Sequence, residues 1–206
     1  MAHAAFGFSA LEIGVLLLFH WNKSGLFEVM QEALVQKTRR ISGRHEQPTT
    51  GIMDSQSVKS TLVGAQSKGF DAGKRVMGAG RHIVTDTLGL VLMVVVHSAS
   101  VQDRDGAKAV MQRLKQYWQS IRLLFADGGY RGKLIGWAKQ WFNISLQIVK
   151  RNKLPAFKVL PKRWIVERTF AWIDANRRSA KNYERLTLTS QAIVQLAAIR
   201  IMINRF

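Results

Sequence analysis

Cysteine is absent from the 206-residue chain, which excludes a disulfide framework, thiol nucleophiles and any cysteine-ligated zinc or iron–sulfur site. Acids are scarce. The 13 Asp and Glu stand against 31 Lys and Arg, a formal net charge of +18. Proline occurs 3 times while hydrophobic residues make up 47%, so the chain is not a disordered basic tail. Surplus positive charge on a folded surface attracts polyanions, nucleic acid first and an anionic membrane second. No apolar run approaches the roughly 20 residues of a spanning helix. Ile13 to Phe19 is bounded by Glu12 and His20, and Leu88 to Val96 is Val-rich and strand-like. A secretory signal would place Lys or Arg before the first of these runs, yet the first basic residue is Lys23. These absences point to a cytoplasmic protein of one domain, or one domain with an appendage.

The patterning divides the chain into an opening segment and an α/β body. Leu26, Phe27, Met30, Ala33 and Leu34 recur at helical spacing, and Ile41 to Thr50 is polar with Gly43 and Pro48, so it reads as a linker. Residues 59–80, rich in Gly and Lys, predict an irregular cationic loop. Arg81 to Thr87 and Leu90 to His97 are β-rich runs around Leu88-Gly89, a hairpin pattern. Helical spacing marks 103–118, 133–142, 164–178 and 189–202, and strand patterns mark 122–126 and 145–149. The sum is a mixed α/β fold.

The few acids carry most of the information. Caps or solvated helix faces account for Asp103, Asp105, Asp174 and Glu184. Asp54 and Asp127, in contrast, each end an apolar run, and Glu167 lies among Trp164, Phe170 and Trp172. A carboxylate beside buried strands and aromatics is costly unless paired or metal-bound. A few carboxylates suffice for Mg²⁺, which takes oxygen ligands and keeps several waters. Two such ions can serve phosphoryl transfer by activating the attacking oxygen and stabilising the leaving one. Zinc is less well supported, because His45, His82 and His97 are scattered with no metal-binding spacing. No P-loop or dinucleotide-binding glycine motif opens a helix.

Five stretches together resemble the bacterial insertion-sequence transposases of the DDE type, in insertion-sequence group five. They are Met53 to Lys59, Asp86 to Leu90, Val101 to Ala107, Ala126 to Gly132 and Arg163 to Trp172. The resemblance runs in order from about Gly51 to the C-terminus. It implies a ribonuclease-H-like mixed sheet flanked by helices, spanning residues 51–206, with residues 1–50 a short helical segment and linker. It further implies Mg²⁺- or Mn²⁺-dependent endonucleolytic cleavage at the ends of an insertion sequence, followed by strand transfer to target DNA. Asp54, Asp127 and Glu167 take the catalytic and metal-binding positions, and Arg163 opens the Arg-x-x-x-Glu pattern. The implied partners are DNA and further copies of the chain when active, at the nucleoid of a bacterial cell.

Arg163 and Glu167, one turn apart, share a helix face, so Arg163 either pairs with Glu167 or grips a phosphate. Tyr130 and Arg131 either contact DNA or start a helix. Residues 151–206 hold 12 Lys and Arg against 3 acids. Arg131, Arg163, Arg168, Arg177, Arg178 and Lys181 are therefore the candidate DNA contacts. Met1 to Phe19 matches nothing in the family, as in a truncated or frame-shifted copy, and residues 1–20 are expected to pack poorly. Lys150 to Lys158 looks shortened. Both departures bear on recognition of DNA ends more than on chemistry. Two other functions fit the same residues, a non-catalytic nucleic-acid binder and a ribonuclease-H-like nuclease without strand transfer.

Overall fold

The computed structural model describes residues 10–61, 68–149 and 162–205. The start of the opening segment and the Lys150 to Lys158 stretch lie outside them. In chain order come α1 (Ala10–Lys23), α2 (Leu26–Ile41), β1 (Thr50–Lys59), β2 (Gly69–Asp71), β3 (Val76–Thr85), β4 (Val91–Ser98) and α3 (Asp103–Tyr117). There follow β5 (Leu123–Ala126), α4 (Lys133–Phe142), β6 (Ser145–Ile148), α5 (Arg163–Asp174) and α6 (Thr187–Ile203). A single 3₁₀ turn, Gly128–Tyr130, follows β5.

The strands form one sheet in the order β2-β3-β1-β5-β6, with β4 also paired to β3. β3 is antiparallel to β1 and β4, while β1–β5 and β5–β6 are parallel. An antiparallel meander continued by two parallel strands, with helices on both faces, is the ribonuclease-H-like arrangement.

Alternation along the strands builds two cores. Met53, Val84, Met93 and Leu124 point to a face covered by α2, α3, α4 and α6, where Phe27, Val110, Leu114 and Trp118 bury. Ile52, Ile83, Val94 and Phe125 point to the other, where Ile165, Val166, Phe170 and Ile173 of α5 meet Val194 and Ala198 of α6. A sheet buried on both faces explains why β4 reads Val-Leu-Met-Val-Val-Val without polar alternation.

Three expectations need correction. Residues 69–80 are not an irregular loop, because β2 and the first part of β3 pair there, Gly69 to Asp71 against Gly78 to Val76. Glycine is required in this stretch for close approach. A Cβ on Gly78 would fall 1.9 Å from the Val58 carbonyl oxygen, and one on Gly80 would fall 2.5 Å from the His97 ring. The apolar run that Asp54 ends is only the first half of its strand, since β1 runs five residues further to Lys59. Helix α5 ends at Asp174 rather than Arg178.

The opening segment is helical and in part integrated. Ile13, Leu16, Leu17 and Phe19 are exposed, as expected of a poorly packed stretch. Leu18, however, packs against the first core. Asn22 is buried and donates to Leu188 O at 3.1 Å and to Gln195 Oε1 at 3.4 Å. Phe27 and Val35 of α2 belong fully to the core.

Candidate active site

Register sets the geometry. β1 and β5 run parallel with Ile52 opposite Phe125, and Asp54 and Asp127 each lie two residues beyond that pair. Two-residue alternation gives each acid the facing of its partner, toward α5. The carboxylates therefore stand side by side on neighbouring strands. β5 ends at Ala126, and Asp127 caps the 3₁₀ turn, its Oδ1 accepting from Gly129 N at 2.8 Å. Asp54 Oδ1 accepts from Ser55 N, also at 2.8 Å. In both aspartates a backbone amide holds Oδ1 and leaves Oδ2 for the space between them.

Helix α5 crosses that space. The Arg163 Nη2 lies 3.5 Å from Asp127 Oδ2 and 3.9 Å from Asp54 Oδ2. Its Nε is 3.0 Å from Glu167 Oε1, an ion pair without hydrogen-bond alignment. One guanidinium thus reaches all three acids, which are on the same side of the sheet.

Their surroundings differ. Asp54 is buried, and desolvation pushes its pKa up to about 6 against the opposing pull of the Ser55 amide and Arg163. The Asp127 side chain is 27% exposed and that of Glu167 53% exposed. The sequence argument that burial makes an unpaired acid costly therefore holds for Asp54 and fails for Glu167, which faces solvent.

The donor set suits a hard cation. It comprises three carboxylates, the two aspartates each with one oxygen tied down and one turned inward. As the side chains stand, no group of three acids or histidines among the described residues is close enough to hold an ion. The Arg163 guanidinium occupies the middle of the three, so closing them on a metal requires that guanidinium to move.

The other predicted contacts separate by environment. Arg131, Arg177 and Lys181 are exposed, and Arg131 Nε donates to Gly128 O at 3.1 Å. Arg178 pairs with Glu184 at 2.7 Å. Arg168 lies between the rings of Trp164 and Trp172. Tyr130 is fully buried, which removes it as a DNA contact.

Sequence reasoning missed a polar group behind Asp54. Ser55 Oγ donates to Asp103 Oδ1 at 2.6 Å, and Lys74 Nζ from the β2–β3 turn lies 3.1 Å from Ser55 Oγ. Asp103 heads α3 as expected, but its side chain crosses to β1 instead of capping. A helix-start position in the sequence conceals that contact.

Comparison with known proteins gives two results. The Transposase DDE domain matches residues 45–202. A Burkholderia cepacia protein named as a transposase for insertion sequence element IS402 is 29% identical over 134 residues, 62% of this chain and 64% of that protein. The match spans slightly less than two thirds of the relative's length.

Proposed function

This chain belongs to the DDE transposase family, and from that premise we propose that it cuts DNA at the ends of an insertion sequence and joins the freed 3′ hydroxyl to a target. Asp54, Asp127 and Glu167 are the catalytic acids of this reading. The observation that carries it is their meeting on one guanidinium, the two aspartates at neighbouring parallel strands and Glu167 on the helix across them. In a chain of net charge +18, that acid cluster has phosphodiesters as its natural substrate.

The same three side chains would hold Mg²⁺ or Mn²⁺, which supplies activation of the attacking oxygen and stabilisation of the leaving one. The protein's own residues do the rest. Gly129 N and Ser55 N fix the two aspartates so that their free oxygens need little reorganisation. Arg163 neutralises the three acids and, when released from them, can turn to a substrate phosphate. Lys74 adds a cation beside Asp54. Arg131, Arg177, Arg178 and Lys181 extend the positive surface for the DNA backbone. Residues 51–206 carry this chemistry, and residues 1–50 bear on recognition of the DNA ends. Active transposition would use more than one copy, in the cytoplasm at the nucleoid.

The test is a Mg²⁺-dependent nicking and joining assay on supercoiled plasmid, run beside a DNA-binding series. Glu167→Ala should lower nicking by more than about a hundredfold, beyond the loss typical of an outer supporting partner. DNA affinity should stay equal or rise slightly as a negative charge leaves. Nicking that persists in Glu167→Ala contradicts the assignment. Nicking without any joining would favour a nuclease of the same fold.

A further inference from the structure

Helix α5 carries a second stripe beside the one that faces the acids. Trp164, Arg168 and Trp172 recur at four-residue spacing and stack along the neighbouring face. The Arg168 guanidinium lies 4.6 Å from the Trp164 ring centre and 4.5 Å from that of Trp172. Arg205, just past α6, lies 5.3 Å from the Trp172 ring centre. Trp164, Arg168 and Trp172 form an alternating ladder of indole and guanidinium, starting one residue from Arg163, with Arg205 beside its Trp172 end.

A purely structural role explains part of this. Arg168 and Arg205 donate to Leu88 O at 3.3 and 3.4 Å, clipping the β3–β4 turn to the helices. It does not explain why Trp164 remains 44% exposed and Trp172 36% exposed, since an indole used only for packing is ordinarily buried. Nor does it explain the charge. Among the described residues neither Arg168, Arg200 nor Arg205 forms an ion pair with a carboxylate. Burial and the adjacent Arg168 push the pKa of Arg205 down, with Asp86, already paired to Arg39, the opposing charge. An open surface groove of about 450 Å³ adjoins the ladder, lined by Trp172, Asn176, Arg200, Asn204 and Arg205. Asn176 is taken up by Trp172 O, Ile173 O and Arg200, while the Asn204 amide and the Arg200 and Arg205 guanidinium groups suit a base edge and a phosphate.

We propose that the Trp164–Arg168–Trp172 face and the adjoining groove bind unpaired nucleotides of the DNA strand next to the carboxylate site. The inference rests on the transposase reading above. Every base has a π-face, so an exposed indole accepts any of them, and interleaved arginines add cation–π contact and backbone neutralisation. Duplex DNA keeps its bases stacked inside and has nothing to offer the indoles. The ladder therefore distinguishes unpaired from paired DNA, and the exposed arginines elsewhere do not.

The experiment measures binding of the full chain to two fluorescently labelled probes by anisotropy, a short oligothymidine and a duplex. Wild type is compared with Trp164→Ala, Trp164→Phe and Trp172→Ala, and the melting temperature of each variant is recorded. Oligothymidine affinity should fall roughly fivefold to a hundredfold in either alanine variant, the usual effect of losing one stacking partner. It should be largely kept in Trp164→Phe, and duplex affinity should change less than about twofold. Equal loss for both probes, or no loss for oligothymidine in a folded Trp164→Ala protein, overturns the inference and leaves the transposase reading standing. If wild type binds neither probe, the transposase reading falls and the ladder proposal falls with it.

Discussion

Asp54 has the least hydrated of the three carboxylates at the site. Its pKa is raised by burial from the ordinary value of 3.8 to about 6. The folded chain therefore binds a proton more tightly than the unfolded chain, and stability falls as pH rises from about 4 to about 6. The change in slope should vanish in Asp54→Asn, which denaturation at a series of pH values would show, with at most about 3 kcal/mol at stake. Any function needing the charged form should rise through the same window. A second residue-scale expectation concerns Gly106 inside α3. A Cβ there would sit 2.5 Å from His82 Cε1 and 2.8 Å from His97 Nε2. Those rings are locked together at 2.6 Å, with the His82 pKa pushed down to about 3, first by burial and then by His97. Gly106→Ala should gain about 1 kcal/mol of helix propensity yet lose more to overpacking, of order 1–3 kcal/mol. A raised melting temperature would show that the histidines can move.

Among the elements, the β3–β4 hairpin depends on one acid. Asp86 is fully buried, takes the amides of Leu88 and Leu90 at 2.9 Å each, and pairs with Arg39 of α2. Asp86→Ala leaves the Arg39 guanidinium buried without its counter-charge, so a loss of roughly 3–5 kcal/mol is expected in urea unfolding. A loss below about 1 kcal/mol would mean that water reaches Arg39. The hairpin was legible because apolar β-rich runs flank Leu88-Gly89. The helices were legible where an apolar stripe meets one sheet face, as in Val110, Met111 and Leu114 of α3. Strands β2 and early β3 were not, since their glycines read as loop. Only the contacts of Gly78 with Val58 and of Gly80 with His97 show that tight packing demands them. Asp54 and Asp127 could be singled out from apolar runs ending in acids. The crossing contacts of Asp103, Ser55 and Lys74 could not, because no spacing encodes a hydrogen bond between residues 48 positions apart.

On the scale of the whole molecule, a net charge of +18 and an acid cluster on one side of the sheet would make opposite demands on the DNA substrate proposed above. In that reading basic side chains would hold it, and the acids would require a cation before a phosphate could approach. If the five predicted contacts outside the ladder (Arg131, Arg163, Arg177, Arg178 and Lys181) all meet phosphates, log affinity for duplex should fall against log salt with a slope of about −4.5. Arg177→Ala, an exposed position, should make that slope shallower by about 1 without altering sequence preference. An unchanged slope would place Arg177 away from the backbone. The most direct test of the three acids as one centre is calorimetric titration of Mn²⁺ into the wild-type chain and into Asp54→Asn, Asp127→Asn and Glu167→Gln. Wild type should bind the ion, and each single variant should weaken that binding severely while keeping its fold. Undiminished Mn²⁺ binding in any one of the three would mean that the acid concerned is not part of a shared metal site.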